Sequence, residues 1–237
     1  MRHSYRFFVN PAQITENIAR FSTAESHHIS DVLRLGKNEE ISAVDGRGYL
    51  YQILLKERKA DQWMGEIRSK RKHERKPPIS LSLALPCLKS NRWEILAEAA
   101  CSIGIAEIWL TDFENAAIRW SATRKERVEK KAVEALKQSG GSLLTRIEGP
   151  IQCGELLTLP NFSRILCADP EGGTFDNINS GALLLIGPEA GINPGELELI
   201  QKEKLIKFNL GTRRLRSEIA GVCALEFVRS RLMKISI

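Results

Sequence analysis

The feature that most constrains the fold is a regular alternation of short apolar runs and amphipathic stretches after Pro78. The apolar runs are predicted strands: Ile79–Leu85, Glu107–Leu110, Ile165–Ala168, Ala182–Ile186 and Lys207–Leu210. Predicted helices separate them, with capping residues at Asn91, Thr123, Asn193 and Ser217. Strands that alternate with helices in this way indicate an α/β fold with a mainly parallel sheet.

The residues before this alternation carry a different pattern, in which several short strands lie close together. The predicted strands are Arg6–Val9, Glu40–Val44, Gly48–Leu55 and Trp63–Ile67. Asp45-Gly46 is a turn signal, so residues 40–55 are predicted to form a hairpin, while His27–Arg34 carries a short helical pattern. Several short strands in so small a segment indicate a compact barrel.

A strongly cationic run from Arg68 ends in two prolines, Pro77 and Pro78. Prolines halt regular structure and favour an extended linker, so the domain boundary is placed here. The predicted division is a barrel over residues 1–72, a linker over 73–78 and an α/β domain over 79–237. The basic run fits either a solvated linker or a strap that contacts RNA, and it does not decide between them.

The charge balance favours an anionic partner. The chain has 35 Lys and Arg against 29 Asp and Glu, a formal net charge of +6. Clustered cations gain free energy by displacing counterions from phosphate, although many basic proteins bind no nucleic acid.

The cysteines argue against a disulfide framework and against a zinc site. The five cysteines are scattered and none forms a C-x-x-C pair. His27 and His28 have no cysteine or acidic partner at ligand spacing, so no metal is expected.

Met1–Arg6 leads into no apolar segment, and the longest apolar runs are too short to span a bilayer. We therefore expect a cytoplasmic protein that is not bound to a membrane.

Two loops that follow predicted strands are candidate ligand sites, because ligands bind outside the carboxyl ends of parallel strands. Ile186–Gly195 contains glycines that let the backbone approach a ligand, although a tight turn explains them equally well. Leu210–Glu218 carries Arg213, Arg214 and Arg216 beside a predicted helix N-terminus, which suits a phosphate or an anionic base. The alternative for this second loop is an exposed, solvated charge run.

Both loops resemble the RsmE family of small-subunit ribosomal RNA uridine-N3 methyltransferases, in the SPOUT superfamily. Leu185–Gly191 matches that family's L-I-G-P-E-G-G motif, and Leu210–Glu218 matches its L-G-x-x-x-L-R-x-E motif. The resemblance runs nearly end to end, with weaker matches at Arg6-Phe-Phe, at His28 to Arg34, at the Asp45-Gly46 turn, at Lys89 to Gly104 and at Ala135 to Ser139.

The resemblance implies a PUA-like β-barrel followed by a SPOUT α/β domain with a deep trefoil knot. In that knot the chain after Leu210 threads behind the loop after Ile186. It also implies a homodimer that binds S-adenosylmethionine and methylates ribosomal RNA of the small ribosomal subunit. The residues implied to hold the cofactor are Ile186, Gly187, Pro188, Glu189, Gly191, Leu210, Gly211 and Leu215.

Methyl transfer to uridine N3 requires loss of the imide proton, so the enzyme must align the reactants and stabilise the developing anion. Arg216 or Arg214 is assigned to that anion or to a neighbouring phosphate, and Glu189 or Glu218 is a possible base or orienting group. The residues assigned to RNA contact are Arg6, His28, Arg34, Lys70, Arg71, Lys72 and Arg146.

Three positions depart from the family pattern. Ala190 stands where glycine is usual, Gly140 where arginine is usual and Ile219 where threonine is usual. These departures leave open a methyltransferase with a diverged RNA target and a weak or inactive module that only binds RNA. An unrelated α/β enzyme that uses a nucleotide or another small ligand is a third alternative, which would treat both loop matches as chance.

Overall fold

The computed structural model describes residues 6–74, 79–175 and 181–232. The chain divides into two compact units, one formed by Met1–Lys76 with Val133–Leu144 and the other by Pro77–Ala132 with Thr145–Ile237. This grouping differs from the predicted continuous domain over 79–237, because residues 133–144 pack with the first unit. Of the predicted linker over 73–78, residues 75–78 lie outside the described residues.

The first unit contains a curled sheet of short strands. Its strands are β1 (Arg6–Phe8), β2 (Ile14–Thr15), β3 (Ile18–Arg20), β4 (Glu40–Val44), β5 (Tyr49–Lys59) and β6 (Gln62–Lys72). Their order across the sheet is β1-β4-β5-β6-β3-β2, and the β1–β4 pair is parallel while the other pairs are antiparallel. Helix α1 (Thr23–His27) continues into a π-helical turn at His28–Val32. The cationic run that begins at Arg68 is therefore strand as far as Lys72.

The predicted hairpin over residues 40–55 is confirmed, since β4 and β5 pair antiparallel on either side of Asp45-Gly46. Asp45 Oδ1 accepts hydrogen bonds from the backbone N–H groups of Arg47 (2.8 Å) and Tyr49 (3.2 Å), which closes the turn. The hydroxyl of buried Tyr51 donates to Asp45 Oδ2 at 3.0 Å. Burial and this carboxylate raise the pKa of Tyr51 well above its ordinary value.

Residues 133–144 join the first unit through an apolar cluster and a carboxylate. Leu136 and Leu144 pack against Val44 and Leu50 of the β4–β5 hairpin. Glu74 accepts hydrogen bonds from the Ser142 hydroxyl (2.8 Å) and the Leu143 N–H (2.9 Å). A segment distant in sequence is thereby held to the strands of this unit.

The second unit is built on a parallel sheet, as predicted. Its strands are β7 (Ile79–Pro86), β8 (Ile105–Asp112), β9 (Arg146–Gln152), β10 (Arg164–Gly173), β11 (Ala182–Leu185) and β12 (Leu205–Phe208). Their order is β12-β10-β11-β7-β8-β9, and every neighbouring pair is parallel. Strand β11 lies inside the sheet and all of its residues are buried, which explains its uninterrupted apolar sequence.

The helices that follow these strands are α2 (Trp93–Ile103), α3 (Ala122–Ser139), α4 (Cys153–Thr158), α5 (Pro194–Glu198) and α6 (Ser217–Leu232). The predicted cap at Asn193 is confirmed, because its side chain accepts from the Gly195 N–H while Glu196 accepts from the Asn193 N–H. Strand β9 and helix α4 have no counterpart among the predicted elements.

The other three predicted caps are wrong. Asn91 has a left-handed backbone (φ 56°) and lies before Arg92, the residue that precedes α2. Thr123 lies inside α3, and the Ser121 hydroxyl instead accepts from the Arg124 N–H at 3.4 Å. Ser217 is the first residue of α6. In each case the residue type favours a helix start, but its neighbours fix the start one or two positions away.

Candidate active site

A cavity lies between strand β10 and the loops that follow the neighbouring strands β11 and β12. One hollow of about 290 Å³ lies between the middle of β10 (Cys167–Pro170), the loop after β11 and the start of α6. A second hollow of about 230 Å³ shares Ala168, Asp169 and Pro170 with the first and adds Leu210, Gly211, Arg213 and Arg214. We call the two together the loop cavity. Its position follows the general rule that ligands bind at the carboxyl ends of parallel strands.

The residues predicted to hold a cofactor all line this cavity. Ile186, Gly187, Pro188, Gly191 and Leu215 line the first hollow, and Glu189, Leu210 and Gly211 line the second. A Cβ on Gly187 would lie 3.0 Å from Ile192 Cγ1 and 3.3 Å from the Ile192 nitrogen. The turn is thus tightly packed, and a side chain at residue 187 would require Ile192 to shift.

The second half of β10, from Asp169 onward, was not predicted as part of the site. Asp169 lies in both hollows, forms an ion pair with Lys207 (Oδ2 to Nζ, 2.9 Å) and accepts the Glu171 N–H at 2.9 Å. The hydrogen bond from Lys207 lowers the pKa of Asp169, so this carboxylate is ionised at neutral pH. The rule that led to the other two loops also applies to the end of the predicted strand Ile165–Ala168, and it would have found Asp169.

Cys167 contributes a neutral thiol to the wall of the cavity. Its side chain is buried, and burial raises the pKa of the thiol to about 11. It therefore presents polarisable apolar surface to a ligand instead of a thiolate nucleophile.

A second cavity, of about 300 Å³, is lined by cationic side chains. Its walls are Arg92, Glu189, Arg214, Leu215, Arg216 and Ser217. We call it the arginine cavity. Leu215 and Ser217 line both this cavity and the loop cavity, so the two spaces share one wall.

The four residues predicted to carry catalysis are brought together here, but they differ in their partners. Arg214 and Arg216 are exposed at the arginine cavity. Glu189 and Glu218 both pair with Arg92, at 2.7 Å (Oε1 to Nη2) and 3.3 Å (Oε2 to Nη1). In the sequence, Arg92 belongs only to a weak motif match. Nothing in the residues next to it indicates that it pairs with Glu189 and Glu218.

Arg6, His28 and Arg34, predicted to contact RNA, have different surroundings within the first unit. Arg6 donates hydrogen bonds to the carbonyl oxygens of Gly140 and Gly141, so its guanidinium is partly used inside this unit. His28 is half-buried, with its ring edge-on to Phe7 at 5.7 Å between centroids. Arg34 is exposed and has a left-handed backbone (φ 56°). Their contact with RNA stays a prediction.

The basic end of β6 presents cations over an aromatic ring. Lys70 and Lys72 place their ammonium groups 4.3 and 4.2 Å from the centroid of Tyr49, while Arg71 is exposed on the same strand. Such an arrangement leaves positive charge at the surface, which suits a phosphate backbone.

Arg146 lies at the amino end of β9, where it pairs with Glu107 of β8. The cavities lie at the carboxyl ends of the strands, so the structure does not bring Arg146 into the candidate site. Glu107 also accepts hydrogen bonds from the Ser82 hydroxyl (2.9 Å) and the Trp109 ring nitrogen (3.1 Å).

Comparison with known proteins decides the family. A family model described as an RNA methyltransferase domain matches residues 75–229, and one described as an RNA methyltransferase PUA domain matches residues 21–58. The chain belongs to this RNA methyltransferase family. The membership confirms the resemblance inferred from the sequence and rules out the unrelated α/β enzyme.

Relatives in this RNA methyltransferase family extend over most of the chain. The protein named ribosomal RNA small subunit methyltransferase E from Mesomycoplasma hyopneumoniae is 29% identical over 225 residues, which cover 92% of this chain and 96% of that protein. The protein of the same name from Bacillus subtilis is 23% identical, over 94% of this chain and 95% of its own length.

Solved structures show the same fold. The ribosomal RNA small subunit methyltransferase E from Neisseria gonorrhoeae, bound to S-adenosyl methionine, has a TM-score of 0.86 at 20% identity and covers 99% of this chain and 100% of its own. A methyltransferase from Legionella pneumophila in complex with the same cofactor has a TM-score of 0.84 at 20% identity, over 96% and 98% of the two chains. The parallel α/β unit and the curled sheet of a PUA-like barrel are therefore the fold of this family.

The three departures from the family pattern lie in places that tolerate them locally. Ala190 has an ordinary negative φ, so glycine is not required by the backbone. Gly140 has φ 79° after the last residue of α3, a position that favours glycine. Ile219 is 44% exposed on α6.

Within residues 6–74, 79–175 and 181–232, no group of three or more His, Cys, Asp and Glu side chains could hold a metal ion. Over the same residues, no helix has the length and apolar character needed to cross a membrane.

Proposed function

We propose that this protein transfers a methyl group from S-adenosylmethionine to N3 of a uridine in ribosomal RNA of the small ribosomal subunit. The observation that carries this proposal is the pair of cavities that share Leu215 and Ser217 as a wall. A transferase needs two reactants side by side with their reacting atoms in contact, and two adjoining cavities provide for that.

The loop cavity fits S-adenosylmethionine. The first hollow is lined mainly by glycine, proline, alanine and aliphatic side chains, with a tightly packed turn at Gly187, and such walls accept an adenine ring closely. The Asp169 carboxylate can accept hydrogen bonds from ribose hydroxyls or from an ammonium group. Two structural relatives were solved with this cofactor bound, which supports the assignment. When bound, S-adenosylmethionine supplies an electrophilic sulfonium methyl group.

The arginine cavity fits the target uridine and its flanking phosphate. A uridine that loses its N3 proton becomes an anion, and a nearby guanidinium stabilises that charge as it develops. Arg216 and Arg214 are the side chains proposed for this role, as the sequence suggested. A base in a duplex or a stacked loop must be turned out to reach such a cavity, and unstacking costs a few kcal/mol.

The first unit is proposed to grip RNA through the basic end of β6 at Lys70, Arg71 and Lys72. The match to an RNA methyltransferase PUA domain supports this role. A cytoplasmic location follows from the proposed substrate.

We further propose that the family's trefoil knot and homodimer are present in this protein. In the proposed knot, the chain after Leu210 passes behind the loop after Ile186.

The proposed dimer face carries Ile95 of α2 and Ile219 of α6, which are 53% and 44% exposed. Ile219→Glu is expected to leave a folded monomer by light scattering, whereas Glu129→Gln on the exposed surface of α3 should stay dimeric. A monomeric wild-type protein would contradict the dimer.

The function is tested by incubating the protein with labelled S-adenosylmethionine and small ribosomal subunits that lack this methylation. Nucleoside analysis of the RNA is expected to show N3-methyluridine. Label on another nucleoside would indicate a diverged target. Binding of RNA without any label transfer would support the inactive module instead.

A further inference from the structure

Arg92 connects the two loops that bound both cavities. Its Nη2 lies 2.7 Å from Oε1 of Glu189, which belongs to the loop after β11. Its Nη1 lies 3.3 Å from Oε2 and 3.4 Å from Oε1 of Glu218, in the first turn of α6. These bonds span 97 and 126 residues of sequence. One guanidinium therefore sets the distance between two segments whose backbones line the loop cavity.

The buried Glu218 carboxylate requires a cationic partner, and Arg92 is that partner. The Glu218 side chain is only 4% exposed, whereas those of Arg92 and Glu189 are 26% and 29% exposed. A carboxylate buried to this extent is stable in its charged form only when a cation or hydrogen-bond donors face it. The N-terminus of α6 gives Glu218 partial support of this kind, and Arg92 supplies the full charge.

The backbone before Arg92 is held in an unusual conformation. Ser90 and Asn91 both have left-handed φ values, 54° and 56°, although neither is glycine. This turn directs the Lys89 N–H at Glu189 Oε1, at 3.0 Å, and the Arg92 Nε at the Lys89 carbonyl, at 3.2 Å. Strained conformations persist only where the surrounding contacts fix them, and they concentrate at functional sites.

We infer that Arg92 is a positioning residue for the cofactor: it holds the loop after β11 against the start of α6 in the arrangement that binds S-adenosylmethionine. This inference rests on the proposed function. In this arrangement Glu189 and Glu218 are the partners that anchor Arg92, and neither serves as the base that removes the uridine proton. Arg214 and Arg216, which lie in the same cavity, remain available to the RNA.

The test measures binding of S-adenosylhomocysteine, the unreactive product, to the full-length protein by calorimetry without RNA. Arg92→Met removes the charge and is expected to weaken binding at least tenfold. Arg92→Lys keeps a charge but cannot reach both carboxylates, so a smaller loss of about threefold is expected. The matched control is Arg127→Met, because Arg127 pairs with Glu94 away from the cavities, and its affinity should stay within twofold of wild type.

Thermal unfolding separates positioning from general stability. If Arg92→Met and Arg127→Met lower the melting temperature alike and both bind S-adenosylhomocysteine as tightly as wild type, the inference is wrong. If Arg92→Met does not fold, Arg92→Lys decides, and wild-type affinity in that variant overturns the inference. A wild-type protein that binds no S-adenosylhomocysteine contradicts the proposed function itself, which is a different outcome.

Glu189→Gln tests the second part of the inference. Glutamine keeps an oxygen acceptor for Arg92 and Lys89 but cannot take a proton as a carboxylate does. Binding of S-adenosylhomocysteine is expected to weaken, because a neutral amide holds Arg92 less tightly than a carboxylate does, while the pH profile of methyl transfer at saturating cofactor keeps its shape. A loss of a hundredfold or more in methyl transfer, with normal binding of S-adenosylhomocysteine, would identify Glu189 as the base and contradict the anchoring role.

Discussion

Arg216 is suited to a transition-state role because its charge is not already committed. Among the described residues, neither Arg216 nor Arg214 has a carboxylate within salt-bridge distance, whereas Arg92 is held by Glu189 and Glu218. A cation that faces a cavity without an internal partner can respond fully to charge that develops in the substrate.

We expect Arg216→Ala to lower the rate of methyl transfer about a hundredfold, a loss comparable to removing one oxyanion donor. Binding of S-adenosylhomocysteine should change little, since Arg216 does not line the loop cavity. Single-turnover transfer from labelled cofactor measures the rate, and Arg164→Ala, an exposed arginine at the amino end of β10, is the control. An equal loss in both variants would remove Arg216 from the reaction.

At the scale of single residues, the sequence predicts which loops form the site but not the ion pairs that hold them. Every residue proposed for the cofactor lines the loop cavity, because the motif residues are consecutive in sequence. Arg92 and Asp169 act through partners far away in the chain, Glu218 and Lys207, and nothing in a local pattern reports such pairs. The predicted pairing of Arg146 with RNA faces the same difficulty, because its carboxylate partner Glu107 lies on a neighbouring strand.

At the scale of elements, strands β10 and β12 approach so closely at Gly172 that no side chain fits. A Cβ there would lie 2.5 Å from the Phe208 nitrogen, whereas a Cβ on Gly173 would meet nothing within 4 Å. Of these two neighbouring glycines, only Gly173 has room for a side chain. The contact matters to the site because Asp169 lies in the same strand, shortly before Gly172, and β12 leads to Leu210.

We expect Gly172→Ala to lower the free energy of unfolding by about 1–3 kcal/mol, because backbone atoms must move apart. Gly173→Ala should change it by less than about 0.5 kcal/mol, as is usual for a substitution that meets no contact. Urea unfolding followed by circular dichroism measures both. An equal change in the free energy of unfolding for both variants would mean that β10 and β12 can move apart at Gly172 with no loss of stability.

A carboxylate at the end of β6 gives the first unit a dependence on pH. Burial of Glu74 works to raise its pKa, but the Ser142 hydroxyl and the N–H groups of Ser142 and Leu143 outweigh burial and hold it below the ordinary value of 4.5. A lowered pKa in the folded state stabilises the protein above the unfolded value, and that stability is lost as the pH falls through the folded value.

We therefore expect Glu74→Gln to be less stable than wild type near pH 7, with the difference shrinking as the pH falls below about 4.5. Glutamine does not ionise and makes the same weaker bonds at every pH. Thermal unfolding of both proteins between pH 7 and pH 3 measures the difference. A constant gap across this range would show that the charge of Glu74 contributes nothing.

Strands and helices are predicted well where apolar residues follow an unbroken pattern in the sequence, and poorly where another residue interrupts that pattern. The buried runs of β7, β10 and β11 were found because a strand covered on both faces is apolar throughout. Strand β9 was missed because Gly149 and Pro150 interrupt it, which an edge strand tolerates. Helix starts failed at Asn91 and Thr123 because several capping residues stand in sequence near each start, and tertiary contacts choose among them.

At the scale of the whole molecule, the effect of the net charge of +6 depends on which cations of the described residues have no carboxylate partner. Lys70 and Lys72 stand over Tyr49, while Lys59 on the same sheet lies 2.6 Å from the Glu57 carboxylate. We expect cations of the first kind to contribute to the proposed RNA contact by releasing counterions, and we expect no such contribution from paired cations. The sequence predicted the excess of positive charge, but its distribution depends on which strands pair.

We expect Lys72→Ala to weaken binding of a small-subunit RNA fragment and to lower the slope of log affinity against log salt by roughly 0.7 to 0.9. Lys59→Ala should leave this slope unchanged, because its charge is already neutralised by Glu57. Fluorescence anisotropy over a range of potassium chloride concentrations measures both. An unchanged slope for Lys72→Ala would place RNA elsewhere on the protein.

The return of residues 133–144 to the first unit bears on how such a chain can evolve. A break at the predicted linker would separate Val44 and Leu50 from Leu136 and Leu144, and Glu74 from Ser142. Neither half would then carry a complete apolar cluster, so exchange of one half by recombination at this linker would yield a chain with exposed leucines. A graft of the first unit onto another protein must therefore bring residues 133–144 with it.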